Sequence, residues 1–271
     1  MKPFSDSPDK TGIQCRSLQR FFRSILLMAA VVLLVPGMVR ADESVSVRLG
    51  YIGLSPSGQL GVSLGGAAGT KVDVERDLGL GRSNQVTAEI QLLFGDSMLS
   101  ASYLPIDSSG SGVLAFPVQF NGKTFTGPVQ SGLKADTFDI GYTYFLINMD
   151  DLPSRFQLGA EVAVKVINAE ARMSSTALGL NEAASATVPI PTLGVRGRIA
   201  LADFVGVSGR IGYLGYAGNH FLDASAQIEF SPLPLVGIYG GYRHLNIRVD
   251  NSGIFLDTGF SGPFFGAFLR F

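Results

Sequence analysis

Tryptophan is absent from this 271-residue chain, cysteine occurs once, at Cys15, and histidine twice, at His220 and His244. A single thiol excludes an internal disulfide and a cysteine cage for a metal. Two histidines leave little material for a Ser–His or Cys–His nucleophile. His220, with Asp223 and Ser225 just downstream, is the one place where an Asp–His pair could form, and His244 lies in the stretch YRHLNI as a strand-end residue. There is no His-x-Ser pair, no metal-ligand cluster and no phosphate-cradling loop, so no catalytic residue, metal or cofactor is expected. Beyond residue 41 no apolar run reaches the roughly 17–25 residues of a spanning helix. Any passage through a membrane must therefore be made by strands.

What the chain does have begins with a leader. Lys10, Arg16, Arg20 and Arg23 precede the apolar run ILLMAAVVLLV (25–35), then Pro36 and Gly37, then a small-residue site ending at Ala41. That order of basic, apolar and small residues predicts a cleaved secretory signal peptide over 1–41. Residues 42–271 carry 15 basic and 20 acidic side chains, a net charge of −5, which speaks against nucleic acid as a partner. Glycine is abundant (34), as is phenylalanine (19).

From residue 45 onward the dominant signal is alternation with a period of two, the period of a strand with two unlike faces. About ten such segments follow one another, at 45–53, 85–94, 98–103, 137–145, 156–166, 192–201, 204–214, 222–230, 235–245 and 260–271. Eight or twelve remain open, because weak strands in the long connections 54–84 and 104–133 would change the number. The connections near 95–97, 148–154, 202–203 and 231–234 are short and the others mostly long. Asn121-Gly122 signals a small hairpin inside the second long connection, and 168–186 reads as a loop.

One file of each segment is Val, Leu, Ile, Phe or Tyr. The other is glycine, small polar residues and charge: Arg48, Glu89, Asp139, Glu161, Lys165, Arg196, Arg198, Arg210, Asp223, Glu229, Arg243 and Arg270. Arginine dominates lysine among these strand cations, as expected where carboxylates are met two-pronged in a crowded space. Tyr51, Tyr103, Tyr142, Tyr144, Tyr213, Tyr242, Phe94, Phe156, Phe230 and Phe271 gather near segment ends, where an aromatic girdle would sit. Seven cations and five carboxylates inside a cylinder of about ten strands would interlock and leave a plugged or very narrow lumen.

The last stretch, FSGPFFGAFLRF (260–271), places Phe265, Ala267, Leu269 and Phe271 on one file, with Arg270, Phe268 and Gly266 on the other. In this it resembles the bacterial outer-membrane β-barrel superfamily, the small OmpA-like and porin-like barrels whose last strand ends on phenylalanine. The stretch VDVERDLGLG (72–81) is similar to an acidic segment after the first strand in several families of such barrels. The resemblance implies an all-β fold, an antiparallel up-and-down transmembrane barrel over 42–271, in the outer membrane of a Gram-negative envelope. It implies Phe265, Leu269 and Phe271 as an assembly signal for the barrel-assembly machinery, and outer-membrane lipids including lipopolysaccharide as partners. The expected role is structural, adhesive or binding, or that of a narrow pore, and not enzymatic. A lipid- or peptide-modifying hydrolase of the outer membrane is the rival reading, and a soluble periplasmic β-sandwich a third. Segment 72–81 is expected to be a solvated loop or strand extension.

Overall fold

Alternation of this kind buries one face of a strand and exposes the other, and a run of such strands must close or cover its edges. The structure is a computed structural model that describes residues 43–62, 70–149, 155–216, 218–233, 235–251 and 254–271. The predicted leader, 1–41, and most of the predicted 148–154 turn lie outside the described residues. The elements are β1 (Glu43–Val62), β2 (Thr70–Asp73), β3 (Ser83–Phe94), β4 (Ser97–Phe120), β5 (Lys123–Met149), β6 (Phe156–Ser175), β7 (Leu180–Ala202), β8 (Val205–Tyr216), β9 (Asn219–Leu233), β10 (Val236–Asn251) and β11 (Ile254–Arg270). Each barrel strand pairs antiparallel with the next, and β11 pairs with β1, so ten strands close a cylinder while the short β2 adds to the far half of β1. The backbone of Phe271 completes the seam, exchanging hydrogen bonds of 2.8 and 3.0 Å with Val45.

The apolar files face outward. Leu49 is 59 % exposed, Ile140 65 % and Leu193 68 %, whereas Glu161 is 2 % and Lys165 1 % exposed. Such a belt is stable against hydrocarbon and costly in water. Cross-strand aromatic pairs mark its two rims. Tyr51 meets Phe265 at 5.8 Å and Tyr103 meets Phe138 at 4.9 Å on one rim, and Phe204 meets Phe230 at 5.8 Å on the other. The soluble sandwich, which would pack these files against one another inside, is thereby excluded.

Two of the predicted loops are strands. The stretch 104–133, expected as a long loop with a small hairpin at Asn121-Gly122, is one long hairpin, with β4 and β5 paired out to Phe120 and Lys123 across a single irregularity between Leu114 and Val118. At its tip Asn121 (φ 47°) and Gly122 (φ 77°) form the left-handed pair that a two-residue hairpin requires. Residues 168–186 likewise extend β6 and β7, which pair to Ser175 and Leu180. At about 3.3 Å per residue β5 runs for about 90 Å and β8 for about 40 Å, so β4–β7 rise well beyond the belt as a raised sheet. The barrel therefore has a short-turn end, at Gly95 and residues 203–204, and a long-hairpin end.

Candidate functional site

Because side chains alternate, every strand sends half of its residues into the cylinder, and the twelve charged residues singled out in the sequence all lie there, in one unbroken chain of ion pairs. Arg243 grips Asp223 with two bonds of 3.0 and 2.8 Å. Lys165 bridges Asp223 (2.8 Å) and Asp139. Arg210 joins Asp139 to Glu161, both at 2.6 Å. Arg196 connects Glu161 (3.0 Å) to Glu89 (3.6 Å), and Arg48 connects Glu89 (4.0 Å) to Glu229 (2.7 Å). Glu229 closes the series against Arg198 at 3.4 Å and Arg270 at 3.8 Å. Thr143 donates a further bond to Glu161, and Gln91 and Gln227 donate to Glu89 and Glu229. Buried ions are tolerable only when each is paired and hydrogen-bonded, and removing one partner leaves the other stranded.

Aromatic rings floor this layer. The Arg48 guanidinium lies 4.7 Å from the centre of Tyr239 and 5.2 Å from that of Phe268, and Arg270 lies 5.1 Å from Phe268. Inward glycines make the room. A Cβ on Gly50 or Gly266 would meet the Tyr239 hydroxyl at 2.5 or 2.6 Å, and one on Gly237 would meet the Phe268 ring at 2.3 Å. Tyr239 was not singled out from sequence. It sits two residues from Gly237 and Gly241 and four from Arg243, so the period that selected Arg243 selects it too.

The interior is not charged throughout, which corrects the expectation of a charge-filled lumen. Toward the long-hairpin end the inward residues become apolar: Ile52, Leu54, Leu104, Ile106, Ala135, Phe221, Leu245 and Phe260 form one buried cluster, joined by Ile167, Ile190 and Leu214 from β6, β7 and β8. Leu54 is 1 % and Leu104 2 % exposed, so water scarcely reaches these two side chains. A second cluster sits beyond it, where Val72, Val74, Leu78 and Leu80 pack on Leu114, Phe125, Val129 and Met173.

The segment after β2 is therefore not a solvated loop. It folds inward against the raised β4–β6 sheet. Its backbone approaches β4 so closely that a Cβ on Gly110 or Gly112 would collide with the carbonyls of Gly79 and Asp77, and Gly79 itself is left-handed (φ 66°). Ser108 donates to the Gly81 carbonyl at 2.6 Å, and Gly81 N–H donates to Ser109 at 3.2 Å. The turn before it is knitted by Asp73, whose carboxylate accepts from the amides of Glu75 and Arg76. The Asp73 amide donates to Asp77 at 2.9 Å. That bond, together with Arg76, holds the Asp77 carboxyl below the usual range.

On the short-turn side a cavity of about 250 Å³ remains, lined by six of the seven interior cations together with Glu89, Glu229, neutral polar side chains and apolar ones such as Leu93, Met98, Phe145 and Phe264. The histidines are elsewhere. His220 stacks on Tyr213 and shares a 2.8 Å hydrogen bond with Asn246 on the outer face, while Asp223 points inward to Lys165 and Arg243. The Asp–His pair is not made. His244 is also on the outer face, opposite Ser261. Among the described residues no group of acidic, histidine or cysteine side chains has the geometry of a metal site. Phe265, Leu269 and Phe271 all stand on the outer face of the seam strand, 63 %, 46 % and 50 % exposed.

No protein-family model and no curated protein matches the chain. Solved structures do. The outer membrane protease OmpT from Escherichia coli superposes with a TM-score of 0.57 at 11 % identity, covering 88 % of this chain and 99 % of that one. The translocator domain of the autotransporter NalP from Neisseria meningitidis gives 0.43 at 12 %, with 95 % and 98 % covered. Ail, the attachment invasion locus protein of Yersinia pestis, gives 0.35 at 14 %, with 86 % and 100 % covered. At such identities the likeness is one of fold. The chain has the closed antiparallel fold of the outer-membrane β-barrels.

Proposed function

We propose that this protein is an exported, integral outer-membrane barrel, sealed against bulk diffusion, which anchors and displays the raised β4–β7 sheet in a structural or binding role. Short turns face the periplasm and long hairpins the exterior in such barrels, so the short-turn end is periplasmic and the sheet stands outside the cell. The observation that carries the reading is the apolar cluster around Leu54, Leu104, Phe221 and Phe260, dry and drawn from nearly every strand, which stoppers the cylinder above the charged layer. The displayed sheet carries large apolar side chains in water, Val113 and Phe116 near the hairpin tip being 64 % and 63 % exposed, and exposed apolar groups of this kind favour contact with a partner surface. Lipopolysaccharide and phospholipid cover the belt, and the seam strand with Phe265, Leu269 and Phe271 is what the barrel-assembly machinery would engage.

Planar-bilayer conductance of the purified barrel tests this. A silent bilayer is the expected result, with steps appearing when Phe221 and Phe260 are both replaced by glycine. Steady conductance steps from the unaltered chain would replace the sealed anchor by a pore. Loss of a proteolytic or lipid-hydrolysing activity in His220→Ala or His244→Ala would replace it by an enzyme.

A further inference from the structure

The charged layer is not balanced. Seven interior cations face five carboxylates, an excess of two, and the excess is concentrated on the periplasmic cavity. Asp139, Glu161 and Asp223 are buried behind the arginines, so the wall of the cavity presents six guanidinium groups and two carboxylates. Like charges directly opposite one another on neighbouring strands are destabilising, yet Arg196 on β7 pairs in register with Arg210 on β8, and Arg198 follows two residues along the same file. Each of the three retains a buried N–H group with no protein acceptor: Nη2 of Arg196, Nη2 of Arg210 and Nε of Arg198. Buried donors are seldom left unmet. Arg196 and Arg210 share Glu161, and the carboxylate nearest to Arg198, Glu229, is engaged by Arg48 and faces Arg198 and Arg270 with its second oxygen, at 3.4 and 3.8 Å.

We propose that this cavity is a binding site for a small free oxyanion of the phosphate class, taken from the periplasmic side. Six guanidinium groups against two carboxylates on one cavity wall are suited to a tetrahedral anion, which they can meet with short charge-assisted bonds. A volume of about 250 Å³ holds one such anion with a few waters at about 30 Å³ each. The wall of ten paired strands keeps acyl chains out, so the phosphate is not that of a membrane lipid. The bound anion neutralises the excess charge and ties β7 to β8. The site rests on the anchor reading only for naming its open side as periplasmic.

The test is calorimetric titration of the full barrel, purified from membranes in nonionic detergent, with inorganic phosphate against chloride at matched ionic strength. Saturable uptake of one phosphate per barrel is expected, together with a higher temperature for the heat-induced change in gel migration. Arg198→Gln leaves Glu229 still held by Arg48 and Gln227, so it folds, and it weakens phosphate binding by about tenfold or more. Lys134→Gln, on the outer face of the raised sheet, leaves binding unchanged. A folded barrel that binds no phosphate, or that responds equally to chloride, overturns the site. Equal affinity in Arg198→Gln overturns it too. Failure to find the chain in the membrane fraction would instead overturn the anchor reading.

Discussion

The two halves of the barrel interior are built on the same backbone pattern and filled by opposite chemistry. Below, Lys165 and Glu161 are as buried as any leucine and are held by ion pairs. Above, Leu54 and Phe221 occupy equivalent inward positions and are held by dispersion and dehydration alone. The contrast separates two tasks. In the proposed anchor the apolar half closes the cylinder. The charged half locks strands together across the lumen at the depth of the belt, where an interior polar file must be satisfied within the protein.

Substitutions sharpen that comparison. The largest effect is expected from Glu161→Leu, which removes the buried carboxylate shared by Arg210 and Arg196 and should destabilise the barrel by about 3–5 kcal/mol, read from urea unfolding of the refolded protein. Ile140→Arg tests the outer face at the same depth. An arginine pointing out of the belt costs about 2–4 kcal/mol near the bilayer midplane, measured by folding into vesicles, whereas the interior arginines are tolerated because they point the other way. In the apolar half Leu104→Ala removes packing without stranding a charge. It should cost about 2–4 kcal/mol and leave phosphate uptake unaltered. An equal loss of binding in Leu104→Ala and Arg198→Gln would mean that the halves are not separable.

The smallest effect concerns the inward-folded segment. The Asp77 carboxyl is held below its ordinary value by the Asp73 amide and Arg76, so it favours the folded turn above the unfolded carboxyl range and ceases to do so as pH falls through its folded value. Proteolytic protection of residues 72–81 should therefore decline slightly below about pH 4, and Asp77→Asn should remove that dependence.

The same contrast explains what the sequence disclosed. Arg196, Arg198 and Arg210 are assignable to the interior because Val195, Ile199 and Ile211 flank them on the opposite file, and two unlike files leave one orientation. Phe221, Leu245 and Phe260 were not, because an apolar residue in the inward file looks like its outward neighbour. Beyond the belt the signal fades altogether. In 107–113 glycine and serine interrupt the alternation, and in 180–191 small and exposed polar residues do, so the long strands there read as loops. The stretch DLGL (77–80) gave its apolar residues but not their partners, which are Phe125 and Met173, some 45 and 95 residues away in the chain. The spare N–H groups of the three arginines depend on where Glu161 and Glu229 reach, which is a matter of three-dimensional register.

The barrel turns its oily files outward and divides its interior into a charged half and an apolar one. Cys15 is the only native cysteine, so with Cys15→Ser a single thiol can be walked along β1, where Ser44 and Leu54 face inward at opposite ends of the interior and Leu49 faces out. Rates of reaction with a water-soluble maleimide, alongside fluorescence quenching by nitroxide lipids, report all three positions. Rapid labelling of Ser44→Cys, protection of Leu54→Cys, and lipid quenching confined to Leu49→Cys are expected. Labelling of Leu54→Cys as fast as Ser44→Cys, or quenching at either inward position, would contradict this arrangement.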